Sequence, residues 1–121
     1  MANGDVYTTA GEGFVIDAID TALTTPYVAS GTGTTTPAKG DTTLGTEVAT
    51  RASCSKTQPT ADVLRNVGTI SYTTSLSITE CGLFTAAAVG TMIQHHVFGA
   101  VTPIGVVNGD SIEFTINHEQ A

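Results

Sequence analysis

The sequence predicts a mainly β fold: an antiparallel β-sandwich or partly open barrel with one N-terminal α-helix. Three observations lead there. Charged residues make up only 12% of the 121 residues, about half the usual share of ~25%, and Thr, Ser and Gly replace them. Branched Thr suits a pleated surface and loses rotamer freedom in a helix. Short apolar runs recur between turn signals at roughly 8–12 residues, the spacing of sandwiches and barrels. Helical periodicity is confined to the N-terminal stretch. The length suits one domain over residues 1–121, with no internal repeat and no linker.

Residues 8–23 form the expected helix. Thr8 or Thr9 caps it, with Glu12 three residues after Thr9 as a capping-box partner. Phe14, Val15, Ala18, Ile19 and Ala22 fall at near-helical spacing, and Phe14, Ile19 and Leu23 are expected to pack on the sheet. Asp17 and Asp20 lie off that face. Pro26 closes the segment, because Thr25 before it is pushed towards extended geometry.

Residues 27–30 read as a short strand. Residues 31–40, GTGTTTPAKG, read as an exposed loop without periodicity. A turn around Leu44 follows, then a strand over 51–58 that Pro59 breaks. Residues 63–73 alternate, with Ile70 and Tyr72 on one face, and Leu76 and Ile78 continue that parity. Cys81 and Leu83 have the opposite parity, so a bulge or bend is expected at 80–82. A strand is centred on 92–98, and 101–107 is extended but interrupted by Pro103. Asn108, Gly109 and Asp110 make the strongest hairpin signal. Beyond them Ile112, Phe114 and Ile116 alternate with Glu113, Thr115 and Asn117. With Phe84 these apolar residues are the expected core, held in roughly six or seven strands.

The formal net charge of −7 repels a phosphate backbone and argues against direct nucleic-acid binding. It fits solubility, and docking on a basic patch of a partner. The start has no basic segment followed by an apolar one, and no apolar run approaches the ~18 residues of a membrane span. Assembly in a cytoplasm, without membrane association, is the expectation. Cys54 and Cys81 are too few for a disulfide scaffold. They read as two separate reduced thiols, with a bridge formed after lysis as the alternative.

No motif carries catalysis. The run starting at Gly31 lacks the glycine–lysine–hydroxyl order of a phosphate loop: Lys39 precedes Gly40 instead of following it. His95 and His96 are adjacent and point to opposite faces of a strand. His95 and His118 can meet across strands, but two ligands make a poor zinc site. No Ser lies in a nucleophile-elbow motif, and Glu80 beside Cys81 raises the thiol's pKa. The expectation is a protein that is not an enzyme, with no cofactor and no metal.

Residues 77–84, SITECGLF, and 106–115, VVNGDSIEFT, resemble a group of small bacteriophage structural proteins. In that group an "ITEAGLF"-like segment precedes a "VVNGDSI.FT"-like one. Its members carry labels such as tail fibre or head decoration (cement) protein. The helix, the Gly-Thr loop after the first strand and the two late segments occur in the same order. Cys81 stands where the group has Ala, a small-for-small change. Glu80, in the first segment, is expected to satisfy backbone donors.

The resemblance implies a virion protein, homo-trimeric, that decorates the capsid and contacts the major capsid protein. A tail or baseplate component that meets a host-surface glycan is the alternative, and a carbohydrate-binding module the rival from another class. The absence of Trp, with three Tyr, argues against that last reading. The expected contacts are the arm residues Ala2, Asn3, Asp5, Val6 and Tyr7 and the loop residues Thr32, Thr34, Thr35 and Lys39. Both segments lack periodicity and are expected to order on docking.

Overall fold

The computed structural model describes residues 6–98 and 102–119. In chain order the elements are α1 (Thr9–Ala22), β1 (Tyr27–Gly31), β2 (Glu47–Ser53), β3 (Ser55–Thr60), β4 (Val63–Ser71), β5 (Leu76–Ile78), β6 (Glu80–Phe84), β7 (Met92–Val97), β8 (Ile104–Val106) and β9 (Ser111–Glu119). The fold is mainly β with one N-terminal helix, and the strand pairs are antiparallel.

Helix α1 begins where Thr8 caps it: the Thr8 hydroxyl accepts from the Gly11 N–H at 3.0 Å. The expected apolar face is rotated. Ile16 is 0% exposed and Leu23 is buried, whereas Phe14 is 75% exposed and Ala18 and Ala22 face solvent. The inward row is Gly13, Ile16, Asp20 and Leu23, at helical spacing. A side chain at Gly13 would come within 3.4 Å of the Ala61 Cβ, so two small residues set the approach. Asp20 is drawn in by Lys56 of β3, 3.0 Å from its carboxylate.

One sheet runs in the order β2-β1-β6-β7, a second in the order β3-β4-β9, and β5 pairs with β8. Strands β2 and β3 are nearly continuous. The chain passes from the first sheet to the second at Cys54, whose N–H bonds the Pro26 carbonyl at 2.8 Å. Pro59 therefore does not break the strand. It sits inside β3, an edge strand, where a missing N–H costs no ladder bond.

The two larger sheets face each other in a sandwich-like stack. Val28, Cys81 and Leu83 of the first meet Ile70, Phe114 and Ile116 of the second, joined by Leu23, Tyr72, Ile78 and Val106. At Gly68 the layers nearly touch: a Cβ there would lie 2.8 Å from Val28 Cγ1 and 2.9 Å from Cys54 Sγ. The other face of the first sheet is covered as well. Ala29 and Phe84 pack under Leu44 from the β1–β2 connection, with Met92 beside them. Strand β6 is consequently buried along its whole length.

Two expectations are corrected here. No bulge interrupts 80–82, since β6 pairs regularly with β1 through Glu80, Cys81 and Gly82. The parity resets at Thr79, where the chain leaves the β5–β8 pair and enters the four-stranded sheet. The Asn108–Gly109 turn does not close a hairpin either, because β8 pairs with β5 and β9 pairs with β4. It joins two sheets instead, with Gly109 at a φ of 95°; the Gly109 N–H donates to the Tyr72 carbonyl at 3.0 Å, and the Tyr72 N–H donates to the Asp110 carbonyl at 2.8 Å. Leu76, Ile112 and Ile19 are half-buried; the rest of the expected core is buried, apart from Phe14.

Candidate functional site

The covered face of the first sheet is organised by one carboxylate. Glu80 opens the central strand β6 and is 1% exposed. Its Oε2 accepts from the Gly33 N–H at 2.8 Å and the Thr46 N–H at 2.9 Å, and its Oε1 accepts from the Gly45 N–H at 2.9 Å. The two ends of the β1–β2 connection are thus tied to one side chain. The glycines make room for it. A Cβ at Gly31 would collide with the Glu80 carboxylate and the Thr46 carbonyl, and one at Gly33 would sit 2.5 Å from Glu80 Oε2. The Gly31–Gly33 run that superficially suggests phosphate binding is a cradle for an internal anion.

His95 of β7 extends the network. Its Nε2 lies 2.8 Å from Glu80 Oε1, and its Nδ1 lies 2.8 Å from Asp41 Oδ2. Asp41 also accepts from the Ala38 N–H at 2.9 Å, which fixes the middle of the connection. Bonding to both carboxylates requires both ring nitrogens to donate, hence an imidazolium. Burial pushes the His95 pKa down, but the bonds to Asp41 and Glu80 outweigh it, so the ring titrates above its ordinary value. Burial pushes Glu80 up, but the Thr46 and Gly45 N–H groups, His95 and the Gly33 N–H hold it below the usual carboxylate range. The Ala38 N–H and His95 do the same for Asp41.

This arrangement holds a loop: among the described residues the partners of the His95 ring are the two carboxylates of Asp41 and Glu80. Among the described residues no group of three or more His, Cys, Asp or Glu is placed to hold a metal ion. His118 does not meet His95. Its Nδ1 lies 3.3 Å from the Gln94 amide, while His95 points into the loop. Cys54 and Cys81 are both free, and burial pushes each thiol up to about 11, with the Glu80 charge adding to the effect at Cys81.

The expected contact residues separate into two places. Ala2, Asn3 and Asp5 lie outside the described residues. Val6 and Tyr7 are 82% and 48% exposed immediately before α1. Thr34, Thr35 and Lys39 are exposed on the β1–β2 connection. Thr32 is half-buried, with its N–H on the Thr46 carbonyl at 3.0 Å. The connection is therefore pinned at its base by hydrogen bonds, although residues 32–46 contain no helix or strand. No hydrogen bond joins Val6 or Tyr7 to this connection among the described residues.

Sequence reasoning assigned Glu80 to backbone donors but missed where they lie, and it missed Asp41 and His95 as partners. Their positions, 39 and 15 residues from Glu80 along the chain, leave no local signal. It also missed the outward turn of α1. Beside that helix lies an apolar cleft of about 240 Å³, lined by Ile19, Ala22, Leu23, Thr85, Ile93 and His118. Comparison of the chain with protein families, curated proteins and solved structures gives no match.

Proposed function

We propose that this chain is a bacteriophage virion structural protein: a capsid decoration protein that binds the outer shell and strengthens contacts between capsomers. The observation that carries the reading is the pair of segments 77–84 and 106–115, which resemble that group. Both fall where tertiary hydrogen bonds concentrate. The first contains Glu80, which holds the β1–β2 connection, and the second contains the turn docked on Tyr72.

Two further features support a clamp. The pinned connection offers Thr34, Thr35 and Lys39 on a fixed base, so contact there costs little ordering entropy. Strands β7 and β9 each end a sheet and ladder with no further strand among the described residues, as do β2 and β3 at the other ends. Such edges need cover, and this chain has four basic residues with which to guard them. A closed homo-trimer covers them by symmetry.

Copy number tests the reading. Quantitative mass spectrometry of purified particles should find hundreds of copies per particle, and labelled antibody should decorate the head. A few copies, with label at the tail tip, would replace the clamp with a tail-fibre or baseplate role.

A further inference from the structure

Helix α1 turns an apolar row outward. Phe14 is 75% exposed, and Ala18 and Ala22 follow it at steps of four residues on the same side. Ala22 also lines the apolar cleft floored by Leu23 and Ile93. The row thus runs from a projecting ring to a recess, eight residues or about 12 Å further along the helix. Val6, 82% exposed, stands just before it in the chain. A single exposed apolar residue is ordinary, but a ring, two alanines and a cleft in line form a patch.

The charges around the patch select its occupant. The helix carries Glu12, Asp17 and Asp20 and no basic residue in its last turn. Lys56 neutralises Asp20 and bonds the Asp20 and Leu23 carbonyls at 2.8 and 2.6 Å, so it serves the helix end. Asp17 meets only the neutral Gln58 amide, at 3.1 Å. A second copy of this chain is a poor source of the missing positive charge, having four basic residues against eleven acidic ones. Arg51 is bound by Glu47 and the carbonyls of Ala86 and Val89, and Arg65 bonds Asn117. Lys39 and Arg65 alone lack an acidic partner among the described residues, and the chain's net charge is −7.

We propose that the outward face of α1 docks a different protein, one that presents an apolar socket for Phe14 rimmed by Lys or Arg. Resting on the decoration reading, this makes α1 a shell-facing surface beside the β1–β2 connection and leaves the strand edges to the homotypic contacts. The ring is the anchor, because a large aromatic buried at the centre of a contact carries a disproportionate share of its energy. Asp17 and Glu12 supply orientation and salt sensitivity.

The test uses shells of the same particle assembled without this protein, mixed with purified full-length chain and sedimented. Phe14→Asp should lower affinity roughly 10- to 100-fold. Val89→Asp changes an equally exposed apolar residue outside α1, and should bind as wild type does. Asp17→Asn should flatten the loss of wild-type binding with added salt. Circular dichroism should be the same for all, since Phe14 contributes nothing to the core. Equal binding of wild type and Phe14→Asp would overturn the docking face while leaving the decoration reading intact. Failure of wild type itself to bind would overturn both. Conversion of an oligomer to a monomer by Phe14→Asp, with shell binding kept, would assign the face to a second copy and overturn the proposal.

Discussion

Nε2 of His95 lies 2.8 Å from Oε1 of Glu80, and this contact ties strand β7 to strand β6 beneath the connection that covers them. Glu80 also takes three backbone N–H groups from that connection, and His95 reaches Asp41 in its middle. One buried carboxylate and one imidazole therefore do for residues 32–46 what a second sheet would do by ladder bonds.

Removing the carboxylate should be costly. Glu80→Ala leaves the Gly33, Gly45 and Thr46 donors and the His95 ring without their acceptor. A broken buried network of this kind costs about 3–5 kcal/mol. Urea unfolding of the soluble protein measures it, and a loss below ~1 kcal/mol would show that the network does not hold the loop.

The same network sets a pH dependence. His95 has its pKa raised above the ordinary 6.5, so its contribution is complete below that value and is lost as pH rises through the folded pKa. Glu80 and Asp41 are held below their ordinary 4.5 and 3.8, so theirs is complete above those values and is lost on acidification. Stability should be greatest between about 4.5 and 6.5 and fall on both sides. In His95→Gln the alkaline fall should vanish while the acid fall persists. Superimposable profiles in denaturant midpoints would exclude His95 as the titrating group.

Two phenylalanines should behave oppositely. Phe114 sits in the core between the sheets, and Phe114→Ala should cost about 3–5 kcal/mol. Phe14 faces solvent, and Phe14→Ala should stay within ~0.5 kcal/mol of wild type. Thermal or urea melts of the two variants decide it; equal losses would mean that α1 packs by the face its periodicity suggests.

The fold class was legible because β9 alternates cleanly, with Phe114 and Ile116 in the core and Glu113, Thr115 and Asn117 in solvent. The helix was legible in extent but not in rotation. Phe14, Val15, Ala18, Ile19 and Ala22 outnumber Ile16 as an apolar row, and only the contact of Gly13 with Ala61 and the pull of Lys56 on Asp20 choose the other face. The Asn108–Gly109 turn was legible as a turn, but its strands part into different sheets, which no local rule conveys. The Glu80 cradle was half legible. A glutamate in a buried strand calls for donors, yet those donors come from glycines far away in sequence.

The most direct measurement of the central claim is a heat challenge of particles with and without this gene. Under the proposed decoration role, deletion particles should assemble, adsorb to host cells normally and release DNA at a lower temperature than wild type, because a protein that binds only the assembled shell stabilises it by mass action. Purified protein added back should restore the wild-type release temperature, and Phe14→Asp protein should not. Deletion particles that keep full heat resistance but fail to adsorb would contradict the proposed decoration role and move the protein to the tail.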